Sequence, residues 1–353
     1  MSRKFQGSAF MLFLMLYIVG LNLIIIPMLA DVMTAIGQQE PFLRLVFSPW
    51  GIIIFPQMIG LMLPLVIWLT FKRESIHQHM PMVKLGSTNI ILIIFMSIFL
   101  QPLMMLISGI SGLFTPNLVG DAVGGMVRQY PWWLLMLAIA VTPSIIEEIL
   151  FRGYIQSVYK DRPFRRAAII NGLFFGIMHI NLQQFFYAFV MGIIFAYMVH
   201  YTRSVVAGML SHFIMNGIQV TLIYFSMQMP ISEYLHESNA YYNDGYNASM
   251  FAISDEFLGI LSIGVIALIA TPCAYVLFRA FRTYNRQRNV KYDLQEAFNN
   301  TNNSISAKTE GSLAEFIKAL PTEPEETSKF KHFLSQIDPF AIAAVVIFVI
   351  LLL

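Results

Sequence analysis

The sequence predicts an all-α polytopic membrane protein with about eight transmembrane helices, and three observations support this fold class. Hydrophobic residues make up 57% of the 353 residues and charged residues only 12%, which differs from the composition of soluble globular domains. Several apolar runs reach the ~20 residues that a helix needs to cross ~30 Å of hydrocarbon. The sequence lacks the alternation typical of barrel strands, so helices are favoured over a barrel.

Eight apolar segments are long enough to be predicted as helical spans, at 8–34, 47–71, 88–115, 132–159, 166–182, 184–201, 204–228 and 256–281. The first segment exceeds the 7 to 15 apolar residues of a signal peptide, so we interpret it as a retained span. A short C-terminal hydrophobic helix at 340–353 would extend only ~21 Å, less than a full span.

Composition divides the chain into three regions. Residues 1–282 form the predicted multi-helix transmembrane domain. Residues 283–338 are rich in Asn, Ser, Thr, Glu and Lys, which is typical of a polar, partly flexible cytoplasmic tail. Residues 339–353 are a short apolar C-terminal segment.

Lys and Arg clusters fall at alternate loops between the predicted spans. Because basic residues are enriched on the cytoplasmic side, we expect the N-terminus and the polar tail to be cytoplasmic. The expected host membrane is a bacterial plasma membrane. The formal net charge of +2 is too small to indicate a nucleic-acid partner. The lipid bilayer is the environment that the composition indicates.

Two further features receive a purely structural interpretation. Cys273 is the only cysteine, so an intrachain disulfide is excluded, and we interpret it as a buried packing thiol. His77 and His79 lie in a predicted loop and are interpreted as solvated side chains.

The fourth predicted span contains three charged residues, Glu147, Glu148 and Arg152. An ionisable side chain near mid-membrane costs roughly 2.5 to 3.5 kcal/mol, so these positions indicate a function. Glu148 and Arg152 are four residues apart and predict an ion pair, whereas Glu147 points about 100° away. An alternative role for Glu147 is a capping box with Ser144 where the helix restarts after Pro143.

Two other predicted spans carry polar residues at helical spacing. Phe175 and His179 share one helix face, and His212 and Asn216 share another. Each pair alone is more typical of packing or of an interhelical hydrogen bond. Glu147, His179 and His212, however, all lie about 9 to 13 residues from a basic loop, or ~13 to 20 Å deep, and so predict one shared layer.

These side chains are sufficient for peptide hydrolysis by water. Glu147 would take a proton from water, His179 would orient that water, and His212 with Asn216 would stabilise the oxyanion. Alternatively, His179 and His212 would bind zinc, with Glu147 as a ligand or as the base. The sequence leaves both mechanisms open.

The ordered motifs Glu147-Glu148-xxx-Arg152, Phe175-xxx-His179 and His212-xxx-Asn216 resemble those of the CAAX protease and bacteriocin-processing family of intramembrane proteases, also called CPBP or ABI. The resemblance covers about residues 130–220. It implies an intramembrane endopeptidase, metallo- or glutamate-dependent, in which Glu147 activates the water.

The same resemblance implies the remaining roles and the substrates. His179, His212 and Asn216 would complete the site, while Glu148, Arg152 and Phe175 would support it. Zinc is the implied cofactor, although the family has also been described as needing no metal. The implied partner is a membrane-anchored or lipidated substrate, either prenylated and CAAX-like or a transmembrane or peptide precursor.

Two rival functions remain open at this point. Some members of the same family act as membrane scaffolds or in bacteriocin immunity without catalysis. Carboxylates and histidines within a membrane also build the proton relays of proton-coupled transporters.

Overall fold

The structure is a computed structural model that describes residues 5–46, 48, 50–228 and 255–304. Within these ranges the regular elements are helices, and the one β-type contact there is an isolated β-bridge between Met82 and Ser204. The all-α polytopic membrane fold is therefore confirmed.

We number the helices of the described ranges in chain order. They are α1 Gln6–Ala35, α2 Gln39–Val46, α3 Pro56–Lys72, α4 Ser87–Gly112, α5 Leu118–Val127, α6 Trp132–Val158, α7 Phe164–Met178, α8 Leu182–Thr202, α9 Val205–Gln228 and α10 Asp255–Ser304.

Six of these helices are long and apolar enough to cross a membrane: α1, α4, α6, α8, α9 and the part of α10 at Phe257–Leu294. The segments predicted as spans at 47–71 and 166–182 form the shorter helices α3 and α7. A π-helical turn at Trp50–Ile54 precedes α3. α7 ends early because Ile180 adopts a left-handed backbone conformation with φ of 46°.

The turn after α7 also starts the next helix. The side chain of Asn181 accepts a hydrogen bond from the backbone nitrogen of Gln184, which caps the N-terminus of α8. α7 and α8 thus form a tight helical hairpin, and this hairpin carries Phe175 and His179 beside α6.

α10 does not end at 282, where the composition becomes polar, but continues to Ser304. Asn285 lies on this extension and is fully buried against Asn89 of α4. The two carboxamides exchange hydrogen bonds of 2.7 and 3.0 Å. The paired amides explain why a polar stretch packs as helix here. The rest of the predicted tail and the apolar segment 339–353 lie outside the described residues.

α6 lies in the middle of the bundle and contacts α3, α7, α8 and α9. In its most apolar stretch 56% of the residues are buried, the largest share among the six long helices. A π-helical turn precedes Thr142–Glu148 and another follows it, at Met136–Val141 and Ile149–Ile155. Such turns often occur at functional sites, because they change the direction in which side chains point.

The segment between α3 and α4 packs against one end of α6. His79 is mostly buried there, and its ring nitrogens lie 2.6 Å from Ser157 Oγ and 3.0 Å from Glu74 Oε2. The interpretation of this histidine as a solvated loop residue is therefore wrong. Cys273 is exposed on the outer face of α10, so its interpretation as a buried thiol is also wrong.

Candidate active site

The predicted ion pair on α6 is present and completely buried. Arg152 Nη1 lies 2.8 Å from Glu148 Oε1, and both side chains have no solvent exposure. Arg152 Nη2 also donates to the backbone oxygen of Gly192 on α8 at 3.2 Å. A buried ion pair requires this kind of additional bonding to offset the loss of hydration.

Aromatic rings enclose the guanidinium of Arg152. Its central carbon lies 4.4 Å from the ring centre of Phe175 and 5.1 Å from that of Phe195. These distances are typical of cation–π interactions, which stabilise a cation that has lost its water. The motif residue Phe175 thus holds Arg152 in place from α7.

His212 of α9 joins this ion pair to the second carboxylate of α6. Its Nδ1 lies 3.1 Å from Glu148 Oε1, and its ring stacks on Phe195 with the centres 5.4 Å apart. Since an ionised carboxylate only accepts hydrogen bonds, Nδ1 is the donor. In the neutral ring Nε2 is then an acceptor, and it faces Glu147 Oε2 at 4.0 Å.

Glu147 has two differently placed oxygens. Oε1 accepts a hydrogen bond of 2.6 Å from Gln57 Nε2 of α3, whereas Oε2 is buried with no hydrogen-bond partner among the described residues. The alternative role of Glu147 in a capping box does not occur, because Ser144 Oγ donates instead to the backbone oxygen of Val141. The side chain therefore faces neighbouring helices.

The contact of Gln57 with Glu147 was not predicted from the sequence. The residue follows Pro56 inside an apolar segment, where an amide side chain is costly unless it is hydrogen-bonded. That cost was the available signal. Its partner could not be identified, because the sequence does not show that α3 packs on α6.

His179 is placed at the C-terminus of α7, next to the same aromatic ring. Its Nδ1 lies 2.8 Å from the backbone oxygen of Phe175 and must donate to it, so Nε2 is an acceptor in the neutral ring. The ring centres of His179 and Phe175 are 5.1 Å apart, and Phe175 lies 5.8 Å from His212. Phe175 thus contacts both histidines with its ring.

Asn216 lies one turn beyond His212 on α9. Its Nδ2 donates to the backbone oxygen of Ile139 at 3.0 Å, within the π-helical turn that precedes the carboxylates. This bond uses one of the two amide hydrogens. The second amide hydrogen is available to donate a hydrogen bond to a substrate.

The residues expected to bind zinc do not form a ready ligand set. In the described ranges of the chain, no three His, Cys, Asp or Glu side chains lie close enough together to hold a metal ion. Glu147 and His212 approach each other, but His179 is connected to them through Phe175.

Glycines allow the helices to bring these groups together. An added Cβ on Gly208 of α9 would collide with Glu148 Oε2. Similarly, an added Cβ on Gly192 would lie 2.6 Å from the Cα of Gly172, so α7 and α8 touch backbone to backbone. Gly176 of α7 also lies against α8, since an added Cβ there would be 2.9 Å from the backbone oxygen of Phe185.

Comparison with known proteins identifies the segment that carries this site. Residues 129–218 match the family described as type II CAAX prenyl endopeptidase Rce1-like. The chain is also 26% identical over 120 residues to a Bacillus subtilis (strain 168) protein described as "Putative membrane peptidase YdiL". This alignment covers 34% of the chain and 47% of that relative, about half of its length. No solved structure matches the chain.

The matched segment contains α6 to α9 up to His212 and Asn216, and so includes all three motifs. Gln57 lies outside it. The six long apolar helices are those of an integral, multi-pass membrane protein. Its motif-bearing segment is similar to the Rce1-like family and to that putative membrane peptidase, in agreement with the resemblance of the three motifs.

Proposed function

We propose that the protein is an intramembrane endopeptidase in which Glu147 activates a water molecule to hydrolyse a peptide bond. The observation that carries this proposal is the arrangement of Glu147 Oε2, which is buried, has no hydrogen-bond partner among the described residues and faces His212 Nε2 at 4.0 Å. Two acceptors at this separation cannot bond each other, but one water molecule can donate to both.

The chemistry follows from these positions. Glu147 takes one proton from the water while His212 Nε2 accepts from the other O–H, and the water oxygen attacks the carbonyl carbon of the substrate. The resulting oxyanion would accept the second amide hydrogen of Asn216. Glu147 then returns its proton to the leaving nitrogen, and the C–N bond breaks. His212 is thus better suited to orient the water than to donate to the oxyanion.

Glu148 has a different role in this scheme. Because it accepts from both Arg152 and His212 through Oε1, it fixes the tautomer and orientation of the imidazole. This arrangement is the usual way in which a carboxylate prepares a histidine for catalysis. His179 presents Nε2 beside the same phenyl ring and would accept a hydrogen bond from the substrate, because both hydrogens of the water are already used.

The proposed substrate is a membrane-tethered protein or peptide, either lipidated and CAAX-like or itself membrane-spanning. Support comes from the location of the site inside a bundle of apolar helices and from the description of the matched family. With the N-terminus cytoplasmic, as the basic clusters predict, the site would receive its substrate from the cytoplasmic side.

The experiment is cleavage of a panel of prenylated and transmembrane peptides by the purified protein, with and without a chelator. Glu147→Gln should abolish cleavage, whereas the same change in the exposed Glu40→Gln should not. Full activity of Glu147→Gln would refute the mechanism. Loss of activity on chelation that zinc restores would assign metal chemistry, and activity that persists would assign water activated by the glutamate alone.

A further inference from the structure

We propose that Gln57 of α3 is the positioning residue that aims the carboxylate of Glu147 at the reacting water. This inference deepens the proposed function and rests on it for the catalytic role. The residue lies outside the segment that the family match covers, so it is a contribution of the N-terminal helices to the site.

The direction of the hydrogen bond follows from chemistry. Gln57 Nε2 lies 2.6 Å from Glu147 Oε1. A carboxylate can only accept, so the amide nitrogen faces it and the amide oxygen points away. Hydrogen bonds between a neutral amide and a charged oxygen are shorter and stronger than neutral ones, in agreement with this distance.

This bond is also the one that fixes both side chains. Gln57 Oε1 and Glu147 Oε2 are buried and have no hydrogen-bond partner among the residues that the structure describes. The last torsion of a glutamate side chain has a broad distribution, so the packing of its carbons alone does not orient the carboxylate. With Oε1 held by Gln57, Oε2 is the oxygen that faces His212.

A purely structural role for Gln57 makes a different prediction. α3 is a short helix, and a hydrogen bond from the amide of Gln57 to α6 would help to hold this helix in the bundle. If this were its whole purpose, replacing Gln57 would change folded yield and leave the turnover of the folded molecules unchanged. Turnover and the spectrum of Glu147 therefore distinguish the two roles.

Gln156 on α6 provides a matched control. Like Gln57 it is partly buried, it donates one hydrogen bond, to the backbone oxygen of Ala196 at 3.2 Å, and its Oε1 has no described partner. It has no contact with Glu147 in the structure. Gln57→Met and Gln156→Met thus each remove one amide hydrogen bond, and only the bond of Gln57 is made to the carboxylate of Glu147.

Two measurements test the inference on the complete protein. The first is the steady-state kinetics of peptide cleavage. Gln57→Met should lower kcat by about 10- to 100-fold, the range that a hydrogen bond to a charged group supplies, with little change in KM. Gln156→Met should keep the wild-type kcat.

The second measurement does not require activity. The infrared band of the Glu147 carboxyl is identified at one pH by its loss in Glu147→Gln, and it should shift in Gln57→Met but not in Gln156→Met. If Gln57→Met does not fold, Gln57→Asn keeps the amide but shortens the side chain by one methylene, which withdraws the donor from Glu147 Oε1, and a shift of the band is again expected.

The outcomes separate the two proposals. An unshifted band in the folded Gln57 variant would overturn the positioning role, even if the wild-type protein cleaves peptides. A shifted band with a wild-type kcat would also overturn it. A shifted band in a protein that cleaves no peptide would refute the proposed function, while Gln57 would still be shown to orient Glu147.

Discussion

His212 of α9 and Glu148 of α6 share a hydrogen bond of 3.1 Å, and the same carboxylate oxygen lies 2.8 Å from Arg152. The ion pair predicted as a structural support is therefore also part of the site, because it holds the imidazole that faces Glu147. Stability and catalysis should be coupled at Glu148, whereas Glu147→Gln should lose catalysis and keep the hydrogen bond from Gln57.

Breaking the buried ion pair should destabilise the protein strongly. Arg152→Gln leaves the charge of Glu148 buried without a cation, and breaking one partner of such a pair typically costs about 3 to 5 kcal/mol. The measurement is the free energy of unfolding in detergent micelles by denaturant titration.

The exposed pair of Arg44 and Glu40, 3.6 Å apart, is the control for this change. Arg44→Gln removes the same charge where solvent screens it, so the free energy of unfolding should change by at most about 1 kcal/mol. The double variant Glu148→Gln with Arg152→Gln should be less destabilised than the sum of the single variants. Additive single effects would contradict the pairing.

Glu147 should show the opposite behaviour. Removing a general base lowers the rate by on the order of 10²- to 10⁴-fold, so both Glu147→Gln and Glu147→Ala should lose cleavage. Their stabilities should differ, because glutamine can still accept from Gln57, whereas alanine leaves that buried N–H unpaired at a cost of about 1 to 3 kcal/mol.

Single-turnover cleavage and denaturant titration on the same preparations check this prediction. Equal stability of the two Glu147 variants would show that the bond from Gln57 has no weight in folding. Cleavage by either variant at the wild-type rate would show that Glu147 is not the base.

Much of this site followed from spacing along single helices. Residues four apart on a helix must share a face, so the pairing of Glu148 with Arg152 and the neighbouring positions of Phe175 and His179 could be predicted without tertiary structure. The common layer of Glu147 and His212 followed from counting residues from the basic loops.

Contacts between helices could not be obtained in this way. The bonds from Gln57 to Glu147 and from Asn216 to Ile139 depend on which helices are neighbours and on how the π-helical turns rotate α6. The role of His212 changed for the same reason, since its bond to Glu148 decides which ring nitrogen carries the proton. Hydrophobicity likewise overestimated the length of α7, which ends before the left-handed residue Ile180.

Gly208 should be sensitive to the smallest substitution. A methyl group there would collide with Glu148 Oε2, so Gly208→Ala must displace the carboxylate that holds His212. Gly217 on the same helix is the control, since its added methyl would lie 3.0 Å from the flexible end of Met136 and at an ordinary contact distance of 3.8 Å from Ala140 Cβ.

We expect Gly208→Ala to lower both folded yield and kcat, and Gly217→Ala to change them little. Size-exclusion profiles and cleavage rates of the two variants provide the comparison. Equal behaviour of the two alanine variants would mean that Glu148 can move without consequence for the site.

Gly172 should be equally restricted, because the α7–α8 hairpin depends on it. A methyl group on Gly172 would lie 2.7 Å from the backbone oxygen of Phe189 and from Ile193 Cγ1. Backbone cannot yield as a flexible side chain does, so α7 must move away from α8. Overpacking of this kind typically costs about 1 to 3 kcal/mol.

Gly259 is the matched control for this substitution, since an added methyl there has nothing within 4 Å. Alanine is favoured over glycine in a helix by about 1 kcal/mol, so Gly259→Ala should keep or raise stability while Gly172→Ala lowers it. Movement of α7 also displaces Phe175 and His179, so Gly172→Ala should lose cleavage even among molecules that remain folded. Wild-type kcat in folded Gly172→Ala would show that the hairpin need not be tight for catalysis.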